Sequence, residues 1–140
     1  MSEAVSAGRA TSTGAGRVLI TVYGIFALSA TARAGVQIAT RFHTAPLPYL
    51  LSALSGVVYV VATLALAGRG PGARRLAWTA VGVELVGVLV IGSLSVFDAA
   101  AFPADTVWSG YGRGYGYVPL VLPLVGLWWL RRTRPGGGPA

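Results

Sequence analysis

Apolar residues fill three long stretches of the chain, residues 18–40, 47–67 and 76–97, each dominated by Leu, Val, Ile and Ala with few polar interruptions. Runs of about twenty such residues are what a helix needs to cross a hydrocarbon core roughly 30 Å thick. A fourth stretch, 117–130, is shorter. At about 1.5 Å per residue it falls short of the full core unless it is extended or the bilayer thins around it. Pro119 suits the first turn of that helix, Pro123 should kink it, and Trp128 and Trp129 are placed to anchor its far end. The pattern predicts an all-α fold, a polytopic four-helix transmembrane bundle over residues 17–132. Residues 1–16, rich in Ser, Thr, Gly and Ala, and the Gly/Pro-rich tail 133–140 lack apolar periodicity and are expected to be flexible.

Charge orients the bundle. Arg9, Arg17, Arg69, Arg74, Arg75, Arg131, Arg132 and Arg134 fall on one side of the predicted spans, and only Arg33, Arg41 and Arg113 on the other. The positive-inside rule therefore puts both termini and the 68–75 connection in the cytoplasm. The first stretch has a rival reading as a cleaved secretory signal, since Ala30-Thr31-Ala32 and Ala32-Arg33-Ala34 resemble small-residue cleavage sites. Apolar character resumes at Val36 and Ile38, which favours an uncleaved anchor.

Composition agrees with lipid as the solvent: 54% of the 140 residues are hydrophobic and 11% charged, against roughly 25% charged in a soluble domain. A net charge of +7 raises the question of nucleic acid, but the arginines flank apolar runs instead of lining one face, so no nucleic-acid partner is expected. All eleven basic residues are arginine, and lysine, asparagine and cysteine are absent, a bias that points to a high-GC bacterium and hence to its inner (plasma) membrane. Without cysteine, disulfides, thiolate metal ligands, iron–sulfur clusters and cysteine nucleophiles are excluded.

Glu84 is the most informative polar position. It lies near the middle of the third stretch, where an ionised side chain facing lipid would cost at least a few kcal/mol, so it must face other helices or be protonated. It reads either as a proton- or cation-coupling carboxylate or as an interhelical hydrogen-bonding group. Counting from the span ends puts Tyr59 and Glu84 at the same depth, about 12 Å, and predicts a hydrogen bond between them. Arg33, Gln37 and Arg41, four residues apart, share one face of the first helix, suited to a cavity, an interfacial anchor or an anionic group. His43 is the single histidine and occupies a short loop, so two-histidine haem ligation within the chain is excluded.

The connection from Asp98 to Gly116 is the longest, and it carries Asp98, Asp105, Trp108, Tyr111, Arg113 and Tyr115 among several glycines. Asp98, Asp105 and Arg113 form a second candidate site, although two carboxylates alone supply too few ligands for a cation. Trp108, Tyr111, Tyr115 and Tyr117 are expected to rest at the headgroup level as an aromatic belt. The Gly-Tyr-Gly of residues 110–112 lacks the preceding Thr-Val of a potassium filter and has Arg113 beside it, which argues against cation passage. Small-residue pairs at Ala30/Ala34, Gly35/Ala39 and Ser52/Gly56 predict close helix approach, within the chain or between copies.

Tyr23-Gly24-Ile25-Phe26-Ala27-Leu28, Ala45-Pro46-Leu47-Pro48-Tyr49 and Gly112-Arg113-Gly114-Tyr115-Gly116 together resemble small actinobacterial integral membrane proteins. That resemblance implies a four-helix membrane architecture and brings with it no activity, cofactor or catalytic residue. Small multidrug-resistance transporters are similar in size only, because their essential glutamate sits in the first helix and the first span here, residues 18–40, has no carboxylate. With no convergent catalytic set, the expectation is a non-enzymatic accessory or structural membrane component. It would need no cofactor or metal, and would contact membrane lipids and form a homo-oligomer or a larger membrane complex. The alternative is a small proton-coupled transporter centred on Glu84, with Tyr59, Arg33 and Gln37 around it.

Overall fold

A computed structural model describes the backbone of residues 2–133 and the side chains of residues 14–133. Four α-helices account for most of these residues: α1 (Ser2–Arg41), α2 (Pro46–Ala67), α3 (Gly70–Phe97) and α4 (Val118–Arg132). No strand occurs among the described residues. Gly14–Thr44, Pro46–Ala67 and Gly70–Phe97 are long and apolar enough to cross a membrane, with mean hydropathies of 1.5, 2.2 and 2.2. Their outer faces leave Leu28, Leu64 and Val86 at least 60% exposed, which in water would be an aggregating surface and is compatible with a membrane protein.

Two boundaries differ from expectation. The α1 backbone is helical from Ser2, well before residue 18, where the first span was expected to start. The alanines and short polar residues before it extend a helix already nucleated by the apolar stretch, and propagation is cheap once a nucleus exists. The connection 68–75 also shrinks to residues 68–69, because α3 starts at Gly70 with Pro71 in its first turn, where the missing N–H costs little. Arg74 and Arg75 therefore lie on a helix. Arg74 reaches across to donate to the backbone carbonyls of Leu130 and Thr133, two acceptors that the end of α4 cannot satisfy internally. Residues 134–140, most of the expected flexible tail, lie outside the described residues.

α1 and α2 are antiparallel and closely packed. Gly56, ten residues into α2, backs onto Thr31, ten residues before the end of α1; a Cβ there would lie 3.0 Å from Thr31 Oγ1. Ala30, Ala34, Ser52 and Gly56 are all buried in this contact region, so two of the three small-residue pairs serve the chain's own packing. Gly35 and Ala39 remain exposed.

The 98–117 connection is the main departure from a simple bundle. It does not rest at the rim as an aromatic belt; it turns back into the helices. Trp108 is 1% exposed and lies against Gly87, where a Cβ would be 2.6 Å from its ring. Gly87 is ten residues inside the end of α3, about 15 Å deep. Tyr111 follows at a shallower level, stacked on Gly92 and bonded through its hydroxyl to Ser93 Oγ at 2.8 Å. Only Tyr117, 51% exposed, keeps the surface position expected of the group.

Non-helical backbone at such depth survives only when its polar groups are satisfied inside the protein. Here Thr106 N–H donates to Ser109 Oγ (2.8 Å), Trp108 N–H to Thr106 Oγ1 (3.1 Å) and Gly110 N–H to Ser95 Oγ (2.8 Å). Gly110, Tyr111 and Gly112 then run through the left-handed region at φ 58°, 62° and 86°, and Gly112 sits so close to Pro119 that a Cβ would lie 2.6 Å from its ring. The segment leads into α4, whose fifteen residues give about 22 Å of helix.

Trp128 and Trp129 part company at the far end of α4. Trp128 is exposed with the Arg132 guanidinium 5.1 Å above its ring, whereas Trp129 turns inward onto Gly16 of α1.

Candidate functional site

Two groups of polar residues result from this arrangement, one in the bundle core and one where the inserted segment meets α1. In the core, Glu84 is 0% exposed. Its Oε1 accepts a 2.5 Å hydrogen bond from the Tyr23 hydroxyl of α1, and its Oε2 has no partner among the described residues. Gly126 of α4 makes room for this pair: a Cβ there would lie 3.1 Å from the Tyr23 oxygen. One carboxyl group thus sits where α1, α3 and α4 meet.

Tyr59 occupies the same core, 0% exposed, but is not bonded to Glu84 as depth counting predicted. Its hydroxyl instead accepts the indole N–H of Trp108 at 3.1 Å. The reason is the inserted segment, which brings a donor to Tyr59 from above while Tyr23 claims Glu84 from α1. The rings interlock: Tyr23 and Tyr59 lie 6.2 Å apart, Tyr59 and Trp108 6.4 Å, Phe26 and Tyr59 5.5 Å, and Phe26 and Tyr115 5.8 Å, all tilted. Such offset and tilted pairs contribute about 0.5–1.5 kcal/mol each beyond area burial.

At the upper end of this aromatic column, the Arg33 guanidinium donates to the Tyr115 hydroxyl. Arg33, Tyr115, Asp105, Thr106, Ser109 and Arg113 line a cavity of about 250 Å³ between α1 and the inserted segment. The Arg113 stem lies on Gly110, where a Cβ would be 2.6 Å from its Cδ, so a glycine fixes the direction of that side chain. Among the described residues neither arginine forms an ion pair with Asp105.

The structure therefore brings together Arg33, Asp105 and Arg113, which were read in two separate candidate groups, and it leaves out two of their supposed companions. Gln37 is half-buried on α1 with its Oε1 unpartnered among the described residues. Asp98 caps the end of α3, its N–H donating to the Leu94 carbonyl at 2.7 Å, and lies outside the cavity lining. His43 and Arg41 are exposed. Tyr23, Trp108, Thr106, Ser109 and Tyr115 were not singled out for either site. Tyr23 alone had a usable signal, since it stands six residues after Arg17, about 9 Å deep, close to the depth of Glu84 on the parallel helix α3. No protein-family model matches the chain, and neither does any curated protein or solved structure.

Proposed function

We propose that the protein is a multi-pass component of a bacterial inner membrane, with four spans and both termini in the cytoplasm, and that it acts as a non-enzymatic accessory or structural element. The fourth span in this reading is composite: α4 on the cytoplasmic side and residues 106–112 on the other. The observation that carries the structural role is the use made of the deep polar groups. Glu84 is bonded to Tyr23 and Tyr59 to Trp108, so each ties one element to another, as polar side chains do between helices in lipid. The exposed Gly35/Ala39 face of α1 is the surface left for a second copy or a larger complex.

Purification in mild detergent is expected to yield an oligomer or a stoichiometric membrane partner, and a lone monomer at all detergent concentrations would overturn the accessory role. Because the chain has no cysteine, single replacements report topology directly. A membrane-impermeant maleimide should label Ala100→Cys in intact cells and Gly72→Cys only after permeabilisation; the reverse pattern would refute cytoplasmic termini.

One observation favours a proton-coupled transporter as the second reading: Glu84 Oε2 is buried without a partner, and unpaired intramembrane carboxylates mark ion pathways in other proteins. Proton flux in proteoliposomes that is present in wild type and absent in Glu84→Gln would move this reading ahead of the first. Absence of flux in both, with an unchanged oligomer, would leave Glu84 as a packing group.

A further inference from the structure

The cavity between α1 and the inserted segment has an unusual set of unused capacities. Arg33 spends part of its guanidinium on Tyr115, and Arg113 makes no side-chain hydrogen bond or ion pair among the described residues. A guanidinium carries five N–H donors in a fixed fork, so both keep donors free at one cavity. Thr106 and Ser109 add another. Thr106 Oγ1 and Ser109 Oγ share a single 3.1 Å hydrogen bond and otherwise accept from backbone N–H groups. Two hydroxyls bring two hydrogens, one is used between them, and the second has no acceptor among the described residues although both residues are 3% exposed. A donor-rich hollow of this kind suits an oxyanion with several acceptor oxygens, because arginine forks match phosphate geometry.

The same cavity holds one carboxylate. Asp105 is exposed and paired with neither arginine among the described residues, so it is free to accept from a cation. Drug-sized ligands occupy about 300–1,000 Å³, and a volume of about 250 Å³ fits something smaller. We propose that this cavity binds a phosphate that carries a primary ammonium group a few atoms away, with the phosphate between Arg33 and Arg113 and the ammonium at Asp105. Phosphoethanolamine is the simplest molecule of that description, whether free or as the headgroup of phosphatidylethanolamine.

Binding is measured with the purified full-length protein, using soluble phosphoethanolamine, phosphocholine and inorganic phosphate, and in parallel with nanodiscs of phosphatidylethanolamine or phosphatidylcholine. Phosphoethanolamine should bind in preference to both other soluble probes. Arg113→Ala should weaken it at least tenfold while leaving the thermal midpoint close to that of wild type, since the guanidinium makes no hydrogen bond or ion pair among the described residues and only its stem rests on Gly110. Asp105→Asn should abolish the preference over inorganic phosphate yet retain phosphate binding, a split that general damage to the fold would not produce. Retention of phosphatidylethanolamine alone, lost in Arg113→Ala, identifies the lipid headgroup as the source; binding of the soluble probe identifies a free ligand. Failure of all probes to bind, equal affinity for phosphocholine, or affinity unaffected by Arg113→Ala would overturn the assignment.

Discussion

Replacing Trp108 with alanine is expected to destabilise the protein in detergent by about 3–5 kcal/mol, the cost of emptying a large aromatic site in a core. The indole is 1% exposed, wedged against Gly87 and within 6.4 Å of the Tyr59 ring centre. Its removal takes away both the wedge and the N–H that Tyr59 accepts. The rest of the inserted segment is held by hydrogen bonds among Thr106, Ser109, Ser95 and Gly110 and by Tyr111 on Gly92 and Ser93, none of which fills the space the indole leaves. Trp108→Phe separates the two contributions: it keeps most of the volume and should cost about 1 kcal/mol for the lost hydrogen bond. Thermal unfolding followed by circular dichroism checks both, and an Ala variant as stable as wild type would mean that residues 106–112 do not lie inside the bundle.

Gly92→Val should be comparably damaging through the opposite fault, excess volume. A Cβ at Gly92 would lie 2.5 Å from Tyr111 Cδ1 and 2.9 Å from the Tyr111 backbone nitrogen. Swinging the ring aside does not relieve the clash, because the backbone stays in place: Tyr111 N–H is bonded to the Trp108 carbonyl at 3.0 Å and Tyr111 itself is held at φ 62°. Overpacking typically costs about 1–3 kcal/mol, and with backbone in the way the effect should reach or exceed the top of that range. The segment should be expelled, so a cysteine placed at Ser109, 3% exposed in the native fold, becomes reactive to a soluble maleimide in Gly92→Val and stays protected in the parent. Gly82→Ala is the control: nothing lies within 4 Å of a Cβ there, so stability should hold or rise slightly, as for alanine in place of glycine within a helix, and protection should not change.

Length and apolarity alone marked the three long helices, because in lipid every backbone group must be satisfied within its own segment and a helix does so without help from distant residues. The burial of Glu84 was legible for the same reason, since a carboxyl group in mid-span must turn inward. Which hydroxyl it meets was not: Tyr23 and Tyr59 lie at similar depths, and the choice depends on the rotation of α1 against α3 and on the space left by Gly126. The 98–117 connection was legible only as long and glycine-rich. Its descent between the helices rests on contacts of Trp108 with Gly87 and Tyr59, and of Tyr111 with Gly92, across 19 to 49 positions of sequence, and periodicity carries no information at that range. The meeting of Arg33 with Asp105 and Arg113 follows from that descent. A helix is a local solution to satisfying the backbone and can be read locally; a cavity is formed by the surfaces of several elements, and only their packing decides which side chains face it.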